Sequence, residues 1–586
     1  MEIPTRPAIP KSVPILLGLT LVLAAGLRLA LIGAPLSSDE LAMVSIWGQM
    51  PFARIVSNYQ YPNNHIFLTL IESGLLKAFG ANSALLRLPV LACGLLSVLL
   101  GYYTALRVAR DSAMALGVAF LLAISPAHIY YSANARGYLL LAVFAQAVIH
   151  WILTLFGNGP RETFTPPDSP LRIGELLGLG LLLFLGTWTV PTFALFEGSL
   201  GLFFASQLLA RYRERLLDFR FPCVQILLTL LACLIGLYFQ YGVLISREML
   251  NLAVANSSPP ALSDMLPRMA AEWLRSFEPF SLAFFLFAAA GLAFLYKSDR
   301  NVFFLTLCVL PFPPAAAYLA VKSGAFAFPP HGRVFFYLQP FLFICASMGA
   351  RALAEKAAAL AGARFPAMAP SRMGAHILFG ALFVPLAFCA AQDLKNNYYP
   401  ERAGREPLHK VLEFVKTLGP QDLFLTSNGP HVEFYLYGAD AMRQRVNNIV
   451  AKGELSGIYF LERRRGDKSD VDRTVREGVE YLELKDYSQI NPLGKGPAPL
   501  LLPSAMVETV ARFDNLAIHK IRPQYIKKAY SLKTPEDMGR WLISAESPVH
   551  LESFRTADGA QPVIAFKGSI VMLSKLPQET AKDGFG

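Results

Sequence analysis

Charge is the scarcest thing in this sequence. Of its 586 residues, 16% are Asp, Glu, Lys or Arg while 54% are hydrophobic, and the mean hydropathy is +0.41. A water-soluble domain must cover much of its surface with polar groups, so this balance excludes one as the whole chain. Cysteine is scarce as well. Cys93, Cys223, Cys233, Cys308, Cys345 and Cys389 all fall in apolar stretches and none belongs to a CxxC pair. They read as small buried hydrophobes, and the cysteine-free C-terminal part has no disulfide framework even if it is exported. There is no internal repeat in the apolar part and no basic module after it. The one basic run there, Arg463-Arg464-Arg465, reads as a solvated face, so nucleic acid is not an expected partner. A cleavable leader is not expected either. The polar stretch 1–11 is followed by an apolar run to Ile32 that is too long for a signal-peptide core and lacks a clear small-residue cleavage site. It reads as an uncleaved first span.

What the chain has in abundance is long apolar runs. A run of roughly 18–25 residues crosses a hydrocarbon layer of roughly 30 Å, and such runs recur from Val13 to Ala391 and then stop. The spans expected are 13–33, 83–106, 112–130, 137–156, 175–190, 192–210, 221–243, 280–296, 301–321, 333–350 and 373–391. The fold class that follows is an α-helical polytopic membrane domain of about 11 transmembrane helices, 1–391, with a C-terminal soluble α/β domain, 392–586. The turn Thr187-Trp188-Thr189-Val190-Pro191 is the weakest division, since one long helix there would move every later loop to the other side.

Charge sets the orientation. Up to Ala391 there are 26 Lys/Arg against 17 Asp/Glu, and from Gln392 onward 27 against 25, so the net +11 resides mainly in the membrane part. With the N-terminus inside, the inner segments hold Arg6, Lys11, Arg107, Arg110, Arg161, Arg172, Arg211, Arg213, Arg215, Arg220, Lys297, Arg300, Arg351, Lys356, Arg364 and Arg372. The short outer loops hold only Arg136, Lys322 and Arg333, as the positive-inside rule requires. The tail then lies on the periplasmic or extracellular side of an inner (plasma) membrane. Two longer outer loops, 34–82 and 244–279, carry amphipathic, aromatic and proline-rich pieces suited to the membrane surface. In the tail, Leu408 to Leu418 has helical spacing stopped by Gly419-Pro420, and strands are expected at Asp422–Thr426, Ile458–Leu461, Val563–Phe566 and Ser569–Leu573.

The polar residues at the outer face are few enough to inspect one by one. Ser37-Ser38-Asp39-Glu40 places two adjacent carboxylates directly after the first span, where desolvation and mutual repulsion both cost energy. A carboxylate held there can act as a general base toward a hydroxyl; it can equally be a solvated helix cap, for which Ser-Ser-Asp is suited. The same loop continues Tyr59-Gln60-Tyr61-Pro62-Asn63-Asn64-His65, able to hydrogen-bond a sugar. The next runs from Ser125-Pro126 through Tyr130-Tyr131-Ser132 to Ala135-Arg136-Gly137-Tyr138, and the last holds Lys322, His331 and Arg333. Singly each Arg or His is an interfacial anchor; together they can form a site with a base on one side and phosphate-binding cations on the other. Arg28 and Glu197 are the other charges within spans, and either pair structurally or line a lipid cavity.

The order of these motifs resembles the GT-C superfamily of membrane glycosyltransferases, in particular its protein O-mannosyltransferase and lipid A aminoarabinose transferase branch. The resemblance lies in Asp39-Glu40 in the first outer loop, Asn63-Asn64-His65-Ile66 (without the usual proline after His), and Leu86-Arg87-Leu88-Pro89 opening the second span. It continues through Ser125-Pro126, Tyr130-Tyr131-Ser132, Ala135-Arg136-Gly137-Tyr138, and Gly332-Arg333 to Gln339-Pro340, with Val334 where Tyr is usual. It is densest from 37 to 140. Each motif is short and common; the ordered series is what is specific.

The resemblance implies an inverting transfer of a sugar from a polyprenyl-phosphate donor to a hydroxyl of a lipid, glycan or protein acceptor. Asp39 would be the general base and Glu40 its support. Arg136 and Arg333, with His331 and Lys322 behind them, would meet the lipid phosphate, and Tyr59, Tyr61, Asn64, His65 and Tyr131 would line the sugar or acceptor pocket. No cofactor is expected, although some of the wider superfamily use a divalent metal and Asp39, Glu40 and His65 have suitable donor atoms. Two other readings remain open: a flippase or transporter of lipid-linked sugars, and a non-catalytic member whose tail is a binding module.

Overall fold

The computed structural model describes residues 12–34, 36–37, 40, 43, 47–48, 50–57, 59, 64–80, 82–157, 166–167, 169–244, 267, 273–274, 277, 280–322, 332–364, 372–398, 408–419, 422–425, 457–465, 468–469, 471–476, 479–484, 500–513, 516–522, 551–554, 563–566 and 569–570. They form two compact units, one of Met1–Ala34 with Pro51–Ala403 and one of Pro35–Met50 with Gly404–Gly586.

The first unit is helical. In chain order its helices are α1 (Ser12–Ile32), α2 (Phe52–Val56), α3 (Ile66–Phe79), α4 (Ser83–Ala109), α5 (Ser112–Ile124), α6 (Pro126–Ser132), α7 (Tyr138–Phe156) and α8 (Ile173–Thr189). Then come α9 (Ala194–Arg211), α10 (Pro222–Leu244), α11 (Ser281–Ser298), α12 (Arg300–Val309), α13 (Phe312–Lys322), α14 (Gln339–Arg364), α15 (Arg372–Ala381) and α16 (Phe383–Asp393). Among the described residues nine helical stretches are long and apolar enough to cross a membrane, and the bent pair α5–α6 makes ten. The protein is a multi-pass membrane protein. The remaining apolar segment of the sequence is α8, shorter than the others.

Proline decides where these helices break. Pro191 offers no N–H and forces the residue before it out of the helical region. Val190 is accordingly extended (φ −143°, ψ 121°), α8 stops at Thr189, and a 3-10 turn over Pro191–Phe193 leads into α9. The segment 175–210 is therefore two helices. Pro126 acts the same way on α5, which ends at Ile124 and resumes as α6 after a bend of 62°. Capping side chains start α4 and α5. Asn82 accepts from the Leu85 N–H at 3.1 Å, and Asp111 accepts from Ala113 N–H at 2.8 Å. The second oxygen of Asp111 takes the Arg351 Nε at 2.9 Å, joining the start of α5 to α14.

In the second unit a helix α17 (Leu408–Lys416) precedes a mixed sheet. Its strands β1 (Asp422–Leu425), β2 (Gly457–Arg465), β7 (Val507–Phe513) and β8 (Leu516–Ile521) lie in the order β1-β2-β8-β7, with β1 parallel to β2 and the rest antiparallel. A short β3 (Lys468–Ser469) pairs with β2. The strands β4 (Val471–Arg476), β5 (Val479–Leu484) and β6 (Leu500–Pro503) form one further three-stranded sheet, and β9 (Leu551–Phe554), β10 (Val563–Phe566) and β11 (Ser569–Ile570) another. Val411 and Val415, four apart on α17, pack on Phe424, Tyr459, Leu461, Leu516 and Ile518. On the alternate positions of β2, Phe460 stacks on His519, and Glu462 meets His519 Nε2 at 2.8 Å, a buried polar pair inside the sheet's other face.

Candidate active site

The turn after α1 is fastened from α4. Arg87, of the Leu-Arg-Leu-Pro motif, donates to the carbonyls of Leu31 (3.5 Å), Ile32 (3.1 Å) and Ala34. Helix C-termini leave their last carbonyls without internal donors, and this guanidinium supplies them. In the second unit, the Ser37 N–H donates to Glu40 Oε2 at 2.6 Å, a reciprocal arm of the kind found in a capping box. Glu40 is thus buried and bonded to backbone rather than solvated. Asp39 lies outside the described residues, as do Tyr61 and His331.

A cluster of polar and aromatic side chains gathers at the loop between α6 and α7. His65, at the N-terminus of α3, accepts the backbone N–H of Gly137 through Nδ1 at 2.6 Å. Its Nε2 lies 3.4 Å from Arg136 Nη2, and Arg136 also donates to the Tyr138 hydroxyl at 3.0 Å. The tautomer follows from the shorter contact. A backbone N–H can only donate, so Nδ1 carries the lone pair and Nε2 the proton. Nε2–H and the Arg136 guanidinium are then two donors side by side, and the 3.4 Å approach is not a bond between them. Both groups therefore present donors, not acceptors, at the loop between α6 and α7, a polarity that suits an anion.

Neighbouring groups reinforce that character. Burial first, then the charges of Arg136 and Arg333, hold the His65 imidazole well below its usual range, so it stays a neutral donor. The same effect shows that Arg333, half-buried in the 3-10 turn Gly332–Leu338, lies within electrostatic reach of the site. Burial, and then Tyr138, push the Tyr59 phenol up, against a smaller opposing pull from Arg136; its O–H is therefore retained as a donor. Arg136 lies over the Tyr138 ring (5.4 Å), which meets His65 edge-on (5.0 Å) and Tyr131 edge-on (5.6 Å). Tyr131 also packs on Phe336 at 4.7 Å, and Tyr59 on Tyr241 at 4.9 Å. Gly137 is what allows the close approach. A Cβ there would run into Thr189 Cγ2 and come within 2.9 Å of His65 Nδ1.

Of the residues expected from sequence, Tyr59, His65, Tyr131, Arg136 and Arg333 are thus drawn into one neighbourhood. Asn64 serves the loop instead, its amide donating to the Ile55 carbonyl at the end of α2 at 3.0 Å. Lys322 is exposed at the C-terminal end of α13. Arg28 and Glu197 do not pair with each other. Arg28 is wholly buried and bonded to backbone, Ser132 and His128, whereas both carboxylate oxygens of Glu197 are buried without a hydrogen-bond partner among the described residues. The sequence reading passed over Tyr138 and Gly137 as site residues, although both stand in the Ala-Arg-Gly-Tyr motif. A metal ion does not fit His65. Nδ1 is engaged, Nε2 is protonated, and two arginine charges would repel a cation. Among the described residues no group of three His, Cys, Asp or Glu could hold one.

With that geometry in place, comparison with known proteins adds the following. No family model and no curated protein matches the chain. Among solved structures, it is similar to ArnT from Cupriavidus metallidurans bound to undecaprenyl phosphate, at 14% identity and a TM-score of 0.48, covering 88% of this chain and 98% of that one. It is also similar to the Archaeoglobus fulgidus oligosaccharyltransferase tethered to an acceptor peptide, at 13% identity and a TM-score of 0.46, covering 78% and 69%. The same archaeal enzyme, AglB, with an inhibitory peptide and a dolichol-phosphate matches at 12% identity and a TM-score of 0.45, covering 77% and 69%. Both proteins are membrane glycosyltransferases of the GT-C superfamily, the one that the motif order resembles. At 12–14% identity the likeness says nothing of this chain's own chemistry.

Proposed function

We propose that the protein is an inverting glycosyltransferase that takes a sugar from a polyprenyl-phosphate donor and passes it to a hydroxyl acceptor at the outer face of the membrane. The observation that carries this reading is the pairing of His65 Nε2–H with Arg136 beside Tyr138, with Arg333 in electrostatic reach. Neutral donors and fixed cations of this kind suit a phosphate that gains charge as it leaves. Bond cleavage at the anomeric carbon passes through an oxocarbenium-like state. Stabilising the departing phosphate with preorganised donors lowers that barrier most. The ring edges of Tyr59, Tyr131 and Tyr138 fit a sugar face.

Asp39 is assigned the role of general base toward the acceptor hydroxyl, from its place in the sequence, and Glu40 that of supporting Asp39. No step runs through a metal. The outer face is supported by the distribution of Lys and Arg among the short loops, and the division of labour between a membrane part and a C-terminal domain from residue 392 goes with it. The test is release of free polyprenyl phosphate from a labelled polyprenyl-phosphate sugar by the purified protein with an acceptor extract. Replacing Asp39→Asn should lower that release by about 10²–10⁴ while the protein remains monodisperse. Full turnover in that variant removes Asp39 from the mechanism. Movement of the labelled lipid between vesicle leaflets without release would make the protein a transporter instead.

A further inference from the structure

One highly bonded side chain of the first unit takes no part in the chemistry just proposed. Arg28 sits on α1 with no exposure at all, and its five N–H donors meet five acceptors. Nη1 donates to the carbonyls of Ala24 (2.9 Å) and Ala123 (3.1 Å). Nη2 donates to the Leu122 carbonyl (3.0 Å) and to His128 Nδ1 (2.8 Å), and Nε to Ser132 Oγ (3.0 Å). These partners share a cause. Pro126 has no N–H to give the Leu122 carbonyl four residues back, and the 62° bend leaves Ala123 at the same helix end. The two carbonyls belong to α5, while His128 and Ser132 belong to α6. One guanidinium therefore holds both arms of the bend.

The second half of this network fixes His128. Since Arg28 can only donate, His128 Nδ1 accepts, and its Nε2–H goes to Ser97 Oγ on α4 at 3.0 Å, which also accepts from Gln146 on α7 at 3.0 Å. His128 has no nitrogen left for proton transfer. Ser132 hands its own proton to the His128 carbonyl at 2.6 Å. Space for the arrangement is provided by Gly94 on α4, where a Cβ would collide with Ser132 Oγ and stand 3.1 Å from Arg28 Nε. A charge within a span is costly, and here every donor that carries it is met. What a guanidinium adds is a defined geometry at the bend.

Ser132 is the last residue of α6, and Arg136 follows four residues later. We infer that Arg28 is a positioning residue: it locks the bend between α5 and α6 and thereby sets where Arg136 stands beside His65. That placement is independent of the ligand; its consequence for a lipid phosphate rests on the function proposed above.

Arg28→Lys keeps the charge but cannot span both arms. Hydrogen exchange on the full chain in nanodiscs reads the placement directly. The amides from His128 to Gly137, including Gly137 N–H on His65, should exchange faster by roughly tenfold, with α9 to α14 unchanged. Unchanged exchange there, or a rise spread evenly over the helices, overturns the inference. Polyprenyl phosphate without sugar then serves as the binding probe. Arg28→Lys should weaken it by roughly tenfold, and in Arg28→Lys/Arg136→Gln the loss should not exceed that of Arg136→Gln alone, because one acts through the other. Additive losses count against it. If the wild-type protein does not bind the probe, the proposed function fails, while the exchange result still decides the clamp. Should Arg28→Lys not fold, Gly94→Ala presses on the same Ser132 contact and is read by the same exchange pattern.

Discussion

Two histidine–arginine pairs stand in the helical unit, and they are used in opposite ways. At His128 the arginine donates into the ring, the far nitrogen donates onward to Ser97, and every donor of Arg28 ends on an acceptor within the protein. At His65 the ring accepts from backbone, so its proton faces the arginine, and donor stands against donor. The first pair closes a hydrogen-bond chain inside the helices; the second sets a neutral imidazole N–H beside a guanidinium. Composition does not distinguish the two; what separates them is which ring nitrogen the backbone or the arginine reaches.

The comparison can be broken most forcefully at the saturated pair. Arg28→Met leaves two helix-end carbonyls and His128 without their donor in a dry interior, and should lower the unfolding free energy by about 3–5 kcal/mol, seen as a fall in the thermal midpoint. At the other pair Arg136→Gln should leave that midpoint nearly unchanged and cut polyprenyl-phosphate release by about 10²–10³, as removal of one preorganised donor does elsewhere. Equal effects of both variants on both measurements would erase the distinction. Gly137→Ala is expected to do a little of each. Its methyl presses on Thr189 and His65, an overpacking cost of about 1–3 kcal/mol, with a parallel loss of turnover.

The smallest effect is on pH. The folded protein holds His65 below its ordinary value of 6.5, so below that value the unfolded chain binds a proton that the folded one refuses. Stability from this residue is complete above about 6.5 and declines as pH falls toward the folded value. The thermal midpoint of the wild type should therefore drop more steeply between about pH 7 and pH 5 than that of His65→Asn. Parallel slopes would mean that the imidazole titrates freely.

Much of the architecture was legible beforehand because the bilayer imposes it. Apolar runs of fixed length mark spans and Pro191 marks a break through its missing N–H, whereas the 62° bend at Pro126 falls inside the single span 112–130 that the sequence led one to expect. In the tail, the helical spacing over Leu408–Leu418 and the short apolar runs at Asp422–Thr426 and Ile458–Leu461 announced a helix and strands. The candidate site was legible as a set of motifs but not as an arrangement. Arg136 and His65 stood out by type, yet Tyr138 and Gly137 did not, because a ring edge under an arginine and a space for an imidazole are properties of contact. Arg28 was visible as a costly charge in a span; nothing in its neighbours along the chain named Leu122, Ala123 and His128 as its partners.

The sequence by itself determined that the chain crosses the membrane many times and which loops carry its few polar groups. These follow from local rules: length and hydropathy. Only the tertiary structure decided which nitrogen of each histidine holds the proton, which arginine is saturated and which faces other donors. A hydrogen bond is made between groups far apart in the chain, here 72 positions from His65 to Gly137 and 100 from Arg28 to His128, and no one-dimensional pattern records so long a pairing.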